Sequence, residues 1–276
     1  MVYWNRNLIS SQEHLPSASG TSGVYDLTSQ QIYTSESQWP GSASSSGGGS
    51  SSGIVSSGLL MHLDAGNSSS YSGTGTTWSD LSGNGNHATL INGPTYSSAD
   101  GGALDFDGSN DYATASLLMP SRPYTASVWI NHDFMSDFFQ YYLNQLYSSS
   151  STNYGFSLFR SIPFGSSPYR VEFRDRVLNS GLVTTYSTTA MSVGNWFNLC
   201  GVASTTDFKI YVNGTLEGTS TNSTSRAGSY GSLFIGSTGT NRHFNGKISS
   251  VLVYNQALSA TEVTQNFNAI KSRYGL

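Results

Sequence analysis

Chemistry in this chain would start from oxygen ligands and paired carboxylates. Asp105, Asp107, Asn110 and Asp111 crowd seven residues, and calcium asks for six to eight oxygens, several of which adjacent carboxylates on one turn can supply. The four are therefore the candidate calcium ligands. The spacing differs from an EF-hand loop, whose glycine and distal glutamate are misplaced here, and a hydrogen-bonded Asp107–Asp111 turn needs no metal. Glycoside hydrolysis requires two carboxylates across the scissile bond. Of the five glutamates, Glu172 alone has an acidic neighbour in range, Asp175, and an odd spacing on a strand sends the two to opposite faces. Arg170, Arg174 and Arg176 around them read as ion pairing on a strand surface. His14, His62, His87, His132 and His243 show no metal-ligand spacing, and no Gly-x-Ser-x-Gly elbow supplies a nucleophile. Cys200 lies between Leu199 and Val202 and reads as a small buried hydrophobe. The sequence thus points away from an enzyme.

Sugar recognition is the remaining chemistry, through aromatic rings that stack on pyranose faces. Trp78, Tyr96 and Tyr112 are the candidates, whereas Trp129 and Trp196 are expected in the core. The aromatic run from Phe134 to Tyr147 would mark a subunit interface wherever it is exposed.

Composition agrees. Only 10% of the 276 residues are charged, the net charge is -4, and 13% are aromatic. Twelve scattered cations cannot release the counterions that nucleic-acid binding needs, and an acidic balance disfavours anionic membranes. No apolar stretch approaches a membrane span, and the N-terminus lacks the basic and apolar regions of a secretory signal, so synthesis in the cytoplasm is expected.

The elements that would hold these residues fall into three parts. Residues 1–40 form a segment too poor in apolar side chains to fold alone, with Val24, Tyr25, Leu27, Ile32, Tyr33 and Trp39 as its docking residues. Thr28 and Gln31 there fit a capping box. Residues 41–58 are a Ser/Gly tether. Residues 59–276 read as an all-β domain of ten to fourteen strands. Alternation over Tyr124–Asn131, the Asn213-Gly214 hairpin signal and the nearly continuous apolar run from Ile248 to Tyr254 are its clearest strands. One helix closes the chain. Ser259 and Glu262 make its capping box, Leu258 and Val263 its staple, Phe267, Ile270 and Tyr274 continue the apolar stripe, and Gly275 ends it.

Four stretches in order carry a resemblance. They are Leu63-Asp64-Ala65-Gly66-Asn67 with Trp78 to Asn86; Ala103-Leu104-Asp105-Phe106-Asp107-Gly108-Ser109-Asn110-Asp111-Tyr112; Trp196-Phe197-Asn198 with Ile210 to Gly214; and Leu233 to Gly236 with Phe244 to Ile248. Residues 59–276 resemble a laminin-G-like, concanavalin-A-like jelly-roll β-sandwich with one C-terminal helix, here preceded by an extended anchoring segment. Related jelly rolls often hold calcium at a loop rim, and glucanases of this fold carry a Glu-x-Asp-x-Glu strand that this chain lacks.

The Leu-Asp-Ala-Gly-Asn opening and the ending Ala269 to Leu276 resemble structural proteins of tailed bacteriophages, as does the motif from Gly23 to Pro40. That resemblance implies a virion protein, a capsid decoration or a fibre or neck appendage. Other virion proteins would be its partners through residues 1–40, cell-surface glycans its ligands, and a homo-oligomer, such as a trimer, its state. A dedicated receptor-binding lectin is the alternative, and a bacterial surface adhesin a third.

Overall fold

The computed structural model describes residues 53–117, 121–135, 139–149, 152–161, 169–177, 181–221 and 231–276, with backbone alone at 146–149, 152–154, 176–177 and 181. The chain divides after Ser52, and every described residue belongs to the second unit, Gly53–Leu276. The six docking residues expected from Val24 to Trp39, and the Thr28 capping box, lie outside the described residues.

Two antiparallel sheets of eight strands form a sandwich. The first runs in the order β14 (Thr215–Thr221), β13 (Asp207–Val212), β12 (Trp196–Ala203), β7 (Tyr124–His132), β16 (Asn245–Tyr254), β5 (Ala103–Asp107) and β4 (Thr95–Ser97). Strand β1 (Leu59–Asp64) pairs with the second half of β16, beyond the part taken by β5. The second sheet runs β11 (Gly181–Tyr186), β10 (Arg170–Val177), β9 (Thr152–Ser161), β8 (Gln140–Ser149), β15 (Leu233–Ile235), β6 (Tyr112–Ala115), β3 (Ala88–Ile91) and β2 (Thr77–Trp78). The sixteen described strands exceed the expected ten to fourteen, because short edge pieces such as β2 and β4 carry too few residues for a visible alternation.

The inner faces meet in one apolar core, in which Phe173 of β10 packs on Phe208 of β13 at 5.3 Å between ring centroids. Gly201 on β12 is needed there, since a Cβ would stand 2.6 Å from the Phe173 ring. Asn213 and Gly214 take positive φ, 49° and 75°, and turn β13 into β14 as their types predict.

The outer face of the first sheet is covered too. Helix α1 (Ala260–Ile270), with its Ser259–Glu262 capping box formed, packs across it, followed by a 3-10 turn that Gly275 ends at φ 69°. Trp129 stacks on Phe267 at 5.6 Å and Trp196 on Tyr274 at 4.3 Å. All nine residues of β7 are consequently buried, so its alternation separates two interiors and not an interior from solvent.

The tether ends earlier than expected. Ile54 and Val55 pack against Leu258 and Val263, and the Val55 amide donates to Asn266 Oδ1 at 2.8 Å. Residues 53–58 therefore belong to the folded body. Among the described residues no helix is long and apolar enough to cross a membrane.

Candidate functional site

Three segments meet at one end of the second sheet. The first is the turn between β5 and β6, where Asp107 Oδ1 accepts from the amides of Ser109, Asn110 and Asp111 at 2.8, 3.2 and 3.4 Å. The second is the loop from β15 to β16, knotted by Thr238, whose amide and hydroxyl both donate to the Asn241 carbonyl. The third is Phe139, immediately before β8. Between them lies a cleft of about 610 Å³ lined by Gly108, Ser109, Phe139, Thr240, Asn241, Arg242 and His243.

Each wall has a local cause. Gly108, at φ 75°, lets the turn press against Asn245, whose side chain would stand 2.7 Å from a Cβ there. Arg242, at φ 61°, sets its carbonyl to accept from the Tyr141 amide at 3.3 Å and lays its guanidinium 5.3 Å from the Phe139 ring centroid. His243 Nδ1 lies 3.4 Å from the Asp111 carbonyl.

The outward face of the second sheet leads away from this cleft. Strand register places Tyr186, Glu172, Phe159 and Tyr141 directly across from one another on β11, β10, β9 and β8. Phe159 and Tyr141 stack at 4.6 Å, and Arg174 lies over Phe159 while donating to Glu172 at 2.6 Å. Burial pushes the Glu172 carboxyl up, against the opposing pull of Arg174. Phe139 meets Phe159 edge-on at 5.8 Å, which joins the row to the cleft.

Three of the expected calcium ligands, Asp105, Asp107 and Asp111, have partners within the fold. Asp105 is drawn to the Lys247 ammonium at 3.4 Å, Asp107 is spent on backbone amides that hold it below the usual carboxylate range, and Asp111 Oδ2 accepts from the Asp107 amide. Among the described residues no three His, Cys, Asp or Glu side chains gather for a metal. The aspartates make a hydrogen-bonded turn, the other reading of that segment.

Of the sugar-stacking candidates, Trp78 is corrected. It is 0% exposed and belongs to the core, because β2 turns its ring inward between the sheets. Tyr96, 38% exposed, sits on β4 of the first sheet beside Tyr71, on the other sheet from Tyr112. Tyr112 is half-buried on β6 against Phe234 and His243, and so borders the cleft. Trp129, Trp196 and Cys200 are buried as expected.

Two further expectations change in part. Glu172 and Asp175 do face opposite ways; Glu172 pairs with Arg174, whose side chain is 28% exposed, as expected of a strand surface, whereas the Asp175 pair is interior, with Arg122 at 3.3 Å and both side chains almost wholly enclosed. The aromatic run divides among environments. Phe134 is 59% exposed, Phe139 lines the cleft, Tyr141 is stacked and Tyr142 is in the core beside His132. Sequence reasoning read Phe139 only as part of an aromatic run and His243 only as a histidine without ligand spacing, and it passed over Arg242; Phe139 stands about a hundred residues from the other two and meets them only through the pairing of β8 with β15.

Comparison with known proteins follows the same lines. A family model described as the concanavalin A-like lectin/glucanases superfamily matches residues 106–264. No curated protein sequence matches. Among solved structures, domain 4 of the extracellular arabinanase AbnA from Geobacillus stearothermophilus, in complex with arabinotriose, aligns at TM-score 0.59 and 17% identity over 75% of this chain and 97% of that one. The botulinum neurotoxin serotype D binding domain aligns at 0.59 and 13% over 77% of this chain and 52% of that one. Trypanosoma rangeli sialidase, in complex with the inhibitor DANA, aligns at 0.54 and 14% over 78% and 33%. At such identities the likeness is one of fold, and it extends to binding domains and to a sialidase alike. With more than half of its length matched by one family and both sheets of the sandwich in place, the chain belongs to the concanavalin A-like lectin/glucanases superfamily.

Proposed function

We propose that this chain is a non-catalytic glycan-binding module borne on a bacteriophage particle. Residues 1–40 attach it to another virion protein, the Ser/Gly tether gives reach, and the sandwich is displayed outward as a capsid decoration or a neck or fibre appendage. The observation that carries the glycan half is the cleft of about 610 Å³, where hydroxyl, amide and guanidinium donors surround an aromatic wall. Binding sites of this kind join apolar faces to a few placed polar groups. An arabinotriose complex, a toxin binding domain and an inhibitor-bound sialidase among the similar structures support the same reading.

The non-catalytic half is supported by Glu172 and Asp175, which sit on opposite faces of β10 and so cannot flank one glycosidic bond. The virion half is supported by the bacteriophage resemblance of the chain's opening and ending motifs and by its sparse charge, which suits close neighbours. Many copies on a particle make weak sugar binding effective through avidity.

A glycan array probed with the full chain tests the first half. Binding to at least one glycan is expected; an array without any bound glycan overturns it. Immuno-gold labelling of intact particles with antibody to residues 59–276 tests the second. Dense label on the head is expected for a decoration protein, and label confined to the tail for an appendage that serves as a receptor-binding lectin. Unlabelled particles overturn the virion assignment.

A further inference from the structure

The motif at 78–86 has no part in the cleft, yet its alternate polar residues Asp80, Ser82, Asn84 and Asn86 all bond to one strand. β1 pairs with β16 along one side. On its other side His62 makes both main-chain bonds to residues 80 and 81. Its amide donates to Asp80 Oδ1 at 2.8 Å, and its carbonyl accepts from the Leu81 amide at 2.8 Å. The Leu60 carbonyl accepts from Ser82 Oγ at 3.0 Å and Asn86 Nδ2 at 2.7 Å, and the Leu59 carbonyl from Asn84 Nδ2 at 2.9 Å. The loop between β2 and β3 thus stands where a neighbouring strand would, without being one.

Asp80 holds this arrangement. Its two oxygens accept from the His62, Ser82 and Asn86 amides and from the Ser82 hydroxyl, so one carboxylate fixes both the strand and the loop's own turn. A side-chain cap satisfies the strand's main-chain groups but presents no further row of its own. It ends the sheet, where another strand would extend it and leave a new edge.

β1 is the margin that needs such a cap. Leu59-Leu60-Met61-His62-Leu63 holds no proline and no permanent charge, the composition of a strand that templates pairing with another chain. Other margins are protected differently. β2 and β4 are only two and three residues long, and β11 and β14 face each other, with Ser220 Oγ donating to the Thr184 carbonyl at 2.7 Å. Asp64, which closes β1, is paired with Arg273, so charge does not keep two copies of this edge apart.

We propose that the loop at 80–86 is a guard that keeps β1 from pairing, edge to edge, with β1 of a second copy of this chain. A two-fold antiparallel match is the arrangement open to an edge that meets its own copy. The guard acts whether or not the cleft binds a sugar.

The full chain and Asp80→Ala are compared by light scattering over a concentration series and by amide hydrogen exchange. Asp80→Ala should approach about twice the parent's mass as concentration rises, the size of a two-fold pair. It should still melt cooperatively, about 4 to 12 °C below the parent, for the charged hydrogen bonds it loses. Its His62 amide should exchange faster than the parent's in dilute solution and regain protection as the mass doubles. Adding His62→Pro removes the outward donor, a change that edge strands tolerate, and should restore the parent's mass. Should Asp80→Ala fail to fold, Asn84→Ala/Asn86→Ala takes its place, since it keeps Asp80 and uncaps the Leu59 carbonyl; it too should gain mass with concentration. A folded variant that keeps the parent's mass throughout overturns the guard. A gain in mass that His62→Pro leaves in place overturns the pairing through β1.

Discussion

The motif residues that look most chemical are largely consumed by the fold. Asp64 holds Arg273 with two 2.6 Å hydrogen bonds and the Gly66 amide at 2.9 Å, tying the opening motif to the chain's end. Asp80, partly buried, accepts from His62, Ser82 and Asn86, and these bonds outweigh the burial that would raise its carboxyl. Gly66 is a contact glycine: a Cβ would lie 2.0 Å from the Gly101 carbonyl oxygen. Gly66→Ala is expected to cost more than about 2 kcal/mol, seen as a fall of at least ~4 °C in melting temperature. His132 gives a pH signature. Its burial, reinforced by the Arg160 charge, pushes it down to about 3, whereas an unfolded histidine titrates near 6.5. Below pH 6.5 the unfolded chain takes a proton that the folded one refuses, so His132 withdraws stability as pH falls toward 3, by up to about 1.4 kcal/mol per unit. Melting curves between pH 6.5 and 4 should be flatter for His132→Gln than for the parent; parallel curves would contradict this.

At the scale of elements, the helix covers the outer face of the first sheet. α1 and the preceding 53–58 strap cover the first sheet, and its Trp129, Trp196, Cys200 and Leu252 are interior as a result. Aromatic and polar side chains on the second sheet, from Tyr186 to Tyr112, form the outward face that adjoins the cleft. The capping box that starts α1 is legible in the sequence because it needs only residues three apart. Ser259→Ala should cost about 1 kcal/mol and lower the melting temperature by roughly 2–4 °C, with Ser259→Asp close to the parent. The sheet order was not legible. β16 pairs with β7, β5 and β1, partners up to nearly two hundred residues away, and no local pattern encodes such pairings.

For the whole molecule, the boundary at Ser52 makes a sharper claim than the composition did. Ser and Gly continue to Gly58, yet Ile54 and Val55 are already packed and hydrogen-bonded. A protease of broad specificity should leave a resistant fragment that begins close to residue 53 and melts like the intact chain's folded body. A fragment beginning after Gly58, or none, would show that the strap does not hold.

The sequence by itself determined what depends on neighbours along the chain. The all-β class, the Asn213-Gly214 hairpin, the capped helix, the buried thiol and the separation of Glu172 from Asp175 all follow from side-chain type, a period of two or 3.6, and the conformations that Gly and Asn allow. Tertiary structure decided which faces meet solvent. It enclosed Trp78, turned Asp107 to its own amides, and assembled a cleft from Gly108, Phe139 and Arg242, three positions that share no local signal. Burial and cleft geometry are set by the packing of two whole sheets against each other, and that packing is a property of distant pairings.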